Sequence, residues 1–331
     1  MKVLIADKFE KSGIDGLKAL GCTVIYEPDA AAAIGDVIAR ESPQVLIVRS
    51  TKVPAAAIEK GVGLKAIIRA GAGVDNIDAG AATTRGVGVA NCPGMNAVAV
   101  AELTMGLLLS LDRRIVDQTL EARAGKWNKK EFSKTGPGGA RGLKGTTLGV
   151  IGAGAIGRAV IKRAVAFEMR VIAWSRSITP DHARDLGAEW GGTDTPALLD
   201  IAGRCDAISL HLPSAPDTNK LIGAAFFERM RPGAYFINTS RGSVVDEAAL
   251  RAAVQAKGIR AGLDVCENQP GQAQADWSSD TAKSPGVYIT HHSGASTDQA
   301  QQAVADETVR LVRVFKETGR LDNCVNPGAV R

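Results

Sequence analysis

The chain has little histidine and little cysteine: four and five residues among 331. The cysteines (Cys22, Cys92, Cys205, Cys266, Cys324) are scattered, odd in number and without a C-x-x-C pair. A disulfide framework or a zinc site is therefore not expected, and free thiols in a reducing compartment are. No run approaches the roughly 20 apolar residues that span a bilayer. The opening KVLIAD is strand-like and lacks the basic and apolar blocks of a secretory leader, so a cytoplasmic location is expected. There is no basic run long enough for a nucleic-acid arm, and the net charge of +5 suits small anionic ligands equally well. Internal repeats and low-complexity tracts are absent. What remains, 45 % apolar and 23 % charged, is the balance of a soluble globular chain, and the length suits two domains.

Strand-like runs alternate with helix-like segments almost throughout, which predicts parallel sheets with helical crossovers, an α/β fold. A first set reads KVLIA, TVIYE, QVLIV, LKAIIRAG and GVGVANCP. An apolar-periodic segment follows at 97–111, with Asn96 placed as its N-cap. Residues 123–146 are rich in Gly and Lys and read as an arm. A second set opens at TLGVIGAGAIG and continues with RVIAWSR, CDAISLHLP, AYFINTS, RAGLDVC and GVYITHH. A helix is predicted over 247–257, between Asp246 and Gly258, and a last one over about 298–318, before Gly319. The short distance from the final strand to the last helix suggests that the chain returns to the first unit.

VIGAGAIGRAV is a G-x-G-x-x-G run at Gly152, Gly154 and Gly157, with Ala155 and Ile156 between the last two. It follows an apolar strand run and opens a helix, the context that makes it a dinucleotide cradle. An NAD site expects an acid about 20 residues on, at the end of the next strand. That strand, RVIAWS, ends in Ser175-Arg176-Ser177. An Arg with two hydroxyls can bind a 2′-phosphate, so NADP is favoured; with Arg176 on the adenine and Ser175 on the ribose, NAD fits as well.

Arg241 follows the apolar run of INTSRGSVVDEAAL, at a strand end where side chains face a ligand crevice and a guanidinium can grip a carboxylate. ITHHSGAST places two of the four histidines side by side, His291 and His292, and histidine titrates nearest neutrality.

GAGVDNID, NCPGMNAVAVAELT, TLGVIGAGAIGR, RPGAYFINTSRGSVVDEAAL, AGLDV and HHSGAST, in this order, resemble the D-isomer-specific 2-hydroxyacid dehydrogenases. The resemblance runs from about residue 44 to 326. It implies two Rossmann-like or flavodoxin-like domains with the active site between them: a substrate domain of residues 1–97 plus 292–331, and a dinucleotide domain of residues 98–291. A homodimer is implied, made through the second domain with an arm at about 110–146. Position by position, it implies Arg241 as the substrate-binding arginine and His292, not His291, as the proton donor and acceptor. Asp264 is then the partner of the nicotinamide carboxamide, and Leu212, Pro213, Thr239 and Gly294 line the cofactor. Ala72, Gly73 and Val74 become the turn that binds the substrate carboxylate. No metal is implied.

The departure is LDVCENQP: the family's catalytic Glu stands directly before Pro, and here that position is Gln269. A carboxylate beside imidazole favours imidazolium. A glutamine can orient the ring through its carbonyl but adds no charge, so His292 is expected to be harder to protonate. Glu267 is a substitute only if its loop is extended. Some formate dehydrogenases of the superfamily pair Gln with His, which leaves a formate-like reaction as a minor alternative. Arg49 and Lys52 in RSTKV and Arg69 in RAGAGVDN bring three cations near one carboxylate-binding turn, which suits a phosphate. This resembles the 3-phosphoglycerate dehydrogenase branch in its short form, without the regulatory domains of longer members. An NADPH-dependent glyoxylate/hydroxypyruvate reductase is the alternative, and a dinucleotide-sensing binding protein the rival from another class.

Overall fold

The computed structural model describes residues 1–134, 139–271 and 274–329. The chain divides into two compact units: Met1–Ala97 with Ala295–Arg331, and Val98–Gly294.

The first unit carries β1 (Lys2–Ile5), β2 (Thr23–Tyr26), β3 (Val45–Val48), β4 (Ala66–Arg69) and β5 (Gly88–Asn91). All pair in parallel, in the order β2-β1-β3-β4-β5, so strand order reverses between β1 and β3. β3 reads Val-Leu-Ile-Val with every side chain buried, as a strand covered on both faces requires. The helix Asp298–Thr318 groups with this unit. Thr297 Oγ1 accepts from Ala300 N, Gly319 ends it at φ +72°, and Val304, Leu311 and Val312 pack on Val3 and Ile5.

The second unit carries β6 (Thr147–Ile151), β7 (Arg170–Trp174), β8 (Glu189–Trp190), β9 (Ala207–Leu210), β10 (Tyr235–Asn238), β11 (Arg260–Leu263) and β12 (Val287–Ile289). Its order is β12-β11-β10-β9-β6-β7-β8, again all parallel. This is the doubly wound dinucleotide-binding order with one strand added, and its switch point lies between β6 and β9. The helix Glu247–Lys257 starts where Asp246 Oδ1 accepts from Ala248 N and Ala249 N, and stops at Gly258 with φ +63°.

Two details depart from the sequence reading. Asn96 does not cap the helix Ala97–Arg113: its Oδ1 is buried and accepts no hydrogen bond. The predicted unit boundary at 291/292 moves to 294/295, because His292 N donates to Asp264 O while Ser293 N and Gly294 N donate to the Asp264 carboxylate. His292 therefore belongs to the same unit as Arg241 and Gln269.

Between the two strand sets, the helix Ile115–Arg123 has no buried residue, and Ile115, Leu120 and Trp127 are exposed. The chain is tied back to the second unit at Asp112, whose Oδ1 accepts from Arg141 N (2.9 Å) and Tyr235 Oη (3.0 Å). Burial, and then the Asp112 carboxylate, push the Tyr235 hydroxyl up to about 12, so it remains a donor at any ordinary pH.

Candidate active site

The glycine cradle is built as its motif requires. Gly152 lies at φ +101°, and a Cβ there would stand 2.4 Å from His211 O. A Cβ on Gly157 would stand 1.9 Å from Gly152 O, so only glycine lets the helix Ala155–Ala166 sit so close to the turn after β6. Gly154 differs from both: a Cβ there meets no protein atom within 4 Å. Packing does not demand that glycine, whereas approach of a pyrophosphate to the backbone does. Gly154 offers no side-chain cap, which leaves the first N–H groups of the helix, those of Ala155, Ile156 and Gly157, to a phosphate. The residues fit a dinucleotide.

Leu212 is buried and leans toward the Gly152 turn, while Pro213 is exposed and its carbonyl accepts from Thr218 Oγ1. Thr239 spends its hydroxyl inside the unit, bonded to Thr104 Oγ1 at 2.9 Å, so only its backbone is left to line a cofactor. Ser175, Arg176 and Ser177 follow β7 as predicted, and Arg176 and Ser177 are exposed. Sequence reasoning missed the partner of Arg176: Asp217, an acid from the segment after β9, forms an ion pair with it. Nothing in APDTNK signals that pairing.

Three loops meet around Gln269 and His292. After β10, Asn238 Oδ1 accepts from Ser240 N and Ser240 Oγ, and its Nδ2 donates to Arg241 O, so a buried amide shapes the turn that carries Arg241. Gly242 then presses on the next loop: a Cβ there would stand 2.2 Å from Cys266 C and 2.5 Å from Glu267 N. That loop is also held by Glu247, whose Oε1 accepts from Glu267 N and Oε2 from Thr281 Oγ1. Glu267 does not substitute for Gln269, because its carboxylate pairs with Lys220 at 2.9 Å.

Gln269 does reach His292, but with the opposite end from the one expected. Oε1 accepts from Cys266 N at 3.0 Å, and Nε2 lies 2.6 Å from His292 Nδ1. The reason is local: the Cys266 N–H can only donate, so it takes the carbonyl end of the amide. His292 itself has φ +51°, a left-handed conformation uncommon outside glycine. Asp264 enforces it, with Oδ1 accepting from Thr290 Oγ1 (2.6 Å) and Ser293 N (2.8 Å) and Oδ2 from Gly294 N (2.9 Å). Asp264 is thus first a clamp on the histidine loop, whatever bond it makes to a cofactor.

Other reactive groups of this unit are muted. Burial pushes the Cys266 thiol up to about 12, with Glu247 and Asp264 adding to the effect, so it is no nucleophile. Burial holds His211 near 3, neutral at physiological pH, with Nε2 bonded to Ser209 Oγ at 2.9 Å.

The first unit presents its candidate residues at the ends of β3 and β4. Asp7, just after β1, receives the N–H groups of Arg49 (2.6 Å), Ser50 (3.2 Å) and Thr51 (3.1 Å), which sets the loop that carries Arg49 and Lys52. The Arg69 guanidinium lies over Gly71, which is at φ +150°. Asn91 Nδ2 donates to Ala72 O, and Asn76 Nδ2 ties the neighbouring turn to Thr51 O at 2.7 Å; Gly73 and Val74 between them are half-buried. Asp7, Asn76 and Asn91 were not picked out from sequence; an acid directly behind a central strand, as in KVLIAD, was the available signal for Asp7.

Residues 105–294 match the family described as D-isomer specific 2-hydroxyacid dehydrogenase, NAD binding domain. The chain is 36 % identical over 98 % of its length to the D-3-phosphoglycerate dehydrogenase of Methanocaldococcus jannaschii, of which it covers 59 %. It thus spans about three fifths of the length of that relative. It is 41 % identical over 83 % of its length to the hydroxypyruvate reductase of Thermotoga maritima, of which it covers 85 %. Among solved structures, it matches the NADPH-dependent glyoxylate/hydroxypyruvate reductase of Sinorhizobium meliloti, in complex with NADP and malonate, with a TM-score of 0.81 and 27 % identity, over 100 % of this chain and 98 % of that one.

Proposed function

Since the chain belongs to the D-isomer specific 2-hydroxyacid dehydrogenases, we propose that it catalyses hydride transfer between a nicotinamide dinucleotide and C2 of a D-2-hydroxy acid or its 2-oxo partner, with 3-phosphoglycerate and 3-phosphohydroxypyruvate as the pair. The observation that carries the reaction is the joined set Arg241, Gln269 and His292. Gly242 seats the arginine turn on Cys266 and Glu267, and that same loop delivers Gln269 to His292 Nδ1. When bound, the dinucleotide supplies or takes the hydride. Arg241 grips the carboxylate of the substrate by parallel hydrogen bonds, and His292 exchanges the hydroxyl proton through Nε2. The Gly152–Gly157 cradle holds the pyrophosphate, and Asp264 keeps the imidazole in place.

The phosphate reading rests on Arg49, Lys52 and Arg69, with the Asp7 clamp giving the first two a defined loop. One observation favours a second reading, a hydroxypyruvate reductase: the relative of that name is 41 % identical over the matched residues, against 36 % for the phosphoglycerate dehydrogenase. The cofactor we assign is NADP(H) ahead of NAD(H). The end of β7 carries no acid of its own, and the exposed Arg176–Asp217 pair is of the kind worth about 0–1 kcal/mol, which a 2′-phosphate can displace.

We further assign a homodimer. A nine-residue helix that buries nothing of its own is too short to persist alone, and the exposed Ile115, Leu120 and Trp127 of Ile115–Arg123 and its continuation give a second copy an apolar face to cover.

The test is an assay at 340 nm that crosses NADH and NADPH with 3-phosphohydroxypyruvate, hydroxypyruvate, glyoxylate and pyruvate. The reading expects the highest kcat/KM with 3-phosphohydroxypyruvate. Turnover of hydroxypyruvate without its phosphorylated analogue selects the second reading, and tight cofactor binding with no turnover makes the protein a dinucleotide sensor.

A further inference from the structure

The Gln269 amide bridges two fixed groups. One end meets the N–H of Cys266, which can only donate, and is therefore Oε1. The other end is the NH2 group, 2.6 Å from His292 Nδ1. An amide NH2 also only donates, so Nδ1 must accept and the ring proton must sit on Nε2. We propose that Gln269 is a positioning residue that holds His292 as its neutral Nε2–H tautomer, and that its amide must turn end for end whenever Nδ1 takes up a proton. The proposal deepens the reading of His292 as the proton-transfer residue, but the tautomer is a property of the protein alone.

The charged groups on the neighbouring segments are otherwise engaged. Asp264, behind β11, is taken up by Thr290, Ser293 and Gly294. Glu267 is paired with Lys220, and Glu247 accepts from Glu267 N and Thr281. Arg241 stands behind β10, and His291 precedes His292.

The chemical consequence is directional. An Nε2–H donates to the carbonyl oxygen of a 2-oxo acid, and it cannot accept the hydroxyl proton of a 2-hydroxy acid. In reduction, with hydride supplied to C2 by the dinucleotide when bound, the carbonyl π pair would move to oxygen, and that oxygen would take the Nε2 proton. A solvent proton enters at Nδ1, which leaves the ring neutral with Nδ1–H. That Nδ1–H needs an acceptor, so the amide turns its carbonyl to the ring and gives up Cys266 N–H. A glutamate at 269 accepts from Cys266 N–H and Nδ1–H at once and needs no turn.

The experiment is 15N NMR of the full-length protein with labelled histidine, the His292 signals being identified by their loss in His292→Gln. The expected result is the Nε2–H pattern at neutral pH in the wild type, and in Gln269→Glu a ring that is protonated to a pH at least one unit higher. In parallel, a neutral Nε2–H donor gives wild-type 2-oxo acid reduction no high-pH limb from this ring, whereas Gln269→Glu, whose neutral ring carries its proton at Nδ1, is expected to gain one, with at least a roughly tenfold loss of rate above it. An Nδ1–H pattern in the wild type, or a Gln269→Glu variant whose reduction gains no high-pH limb, overturns the proposal. An Nε2–H pattern in a protein that turns over no 2-oxo acid supports the amide assignment while defeating the catalytic reading.

Discussion

The two units each close a parallel strand with a glycine turn, and glycine is required for different reasons in the two places. After β6, the atoms that crowd Gly152 and Gly157 are backbone carbonyls, His211 O at 2.4 Å and Gly152 O at 1.9 Å from a would-be Cβ. After β4, the group that crowds Gly71 is the end of a flexible side chain, Arg69 Nη1 at 1.6 Å. Backbone cannot move aside without unmaking the sheet and helix that carry it, whereas a guanidinium can swing away. The first turn is therefore a rigid receptor. The second is a place where a side chain and a glycine share space, and its geometry depends on which residue precedes it.

The sharpest way to break this contrast is Gly157→Ala. Its Cβ has only backbone to meet, so we expect a loss of about 1–3 kcal/mol of stability from overpacking together with loss of measurable NADPH binding by fluorescence titration. Gly154→Ala, whose Cβ meets no protein atom, is the control: full stability by urea unfolding, with cofactor affinity alone reduced. Equal stability losses in both variants would show that packing, not phosphate access, governs the cradle.

Gly242→Ala comes next. Its Cβ would stand 2.2 Å from Cys266 C, again backbone, so the Gln269 loop must move relative to Arg241. Misplacing a catalytic group by about 1 Å can cost roughly 100-fold in rate, and that is the expected fall in kcat, with NADPH affinity unchanged because the cradle is untouched. A normal kcat would mean that the two loops are not held in register by this contact.

How much of this was legible beforehand follows the same division. The parallel sheets, the helix Glu247–Lys257 between Asp246 and Gly258, and the last helix with Gly319 after it could be read directly, because strand periodicity, caps and left-handed glycines are local. The Gly152–Gly157 cradle could be read for the same reason. What could not be read depended on pairs far apart in sequence. Asp7 on the 49–51 backbone, Asp217 on Arg176, and Asp264 on 290–294 each join segments at least 26 residues apart, the last being the nearest such pair at Thr290. The polarity of the Gln269 amide depended on one backbone donor, Cys266 N–H, that no side-chain pattern reveals. Asn96 failed as a cap because a capping residue type near a helix start says nothing of where its side chain turns.

A smaller effect tests the other side of the comparison. In Gly71→Ala the new Cβ displaces the Arg69 guanidinium rather than backbone, and the cost of the strained φ is about 1–3 kcal/mol. The expected result is a fold that survives and a KM for 3-phosphohydroxypyruvate raised roughly tenfold, with dinucleotide affinity intact. A KM that stays put would remove Arg69 from the phosphate site.

The smallest expected effect lies at the rim of the cradle. Arg176 and Asp217 have side chains 55 % and 56 % exposed, so solvent screens their attraction and Asp217→Asn should change stability by no more than about 0.5 kcal/mol. Its effect on cofactor choice is larger than its effect on the fold. The substitution removes a negative charge from beside the guanidinium that would face a 2′-phosphate, and it leaves unchanged the groups that would face a ribose hydroxyl. KM for NADPH should fall about two- to fivefold, the size of one screened surface charge pair, while KM for NADH stays within error. The ratio of the two KM values, taken at low and at 0.5 M salt, separates charge from shape, since added salt should erase the gain. A ratio that Asp217→Asn leaves unmoved at low salt would place the 2′-phosphate away from Ser175-Arg176-Ser177, and NAD would then be the cofactor that the end of β7 is built to hold.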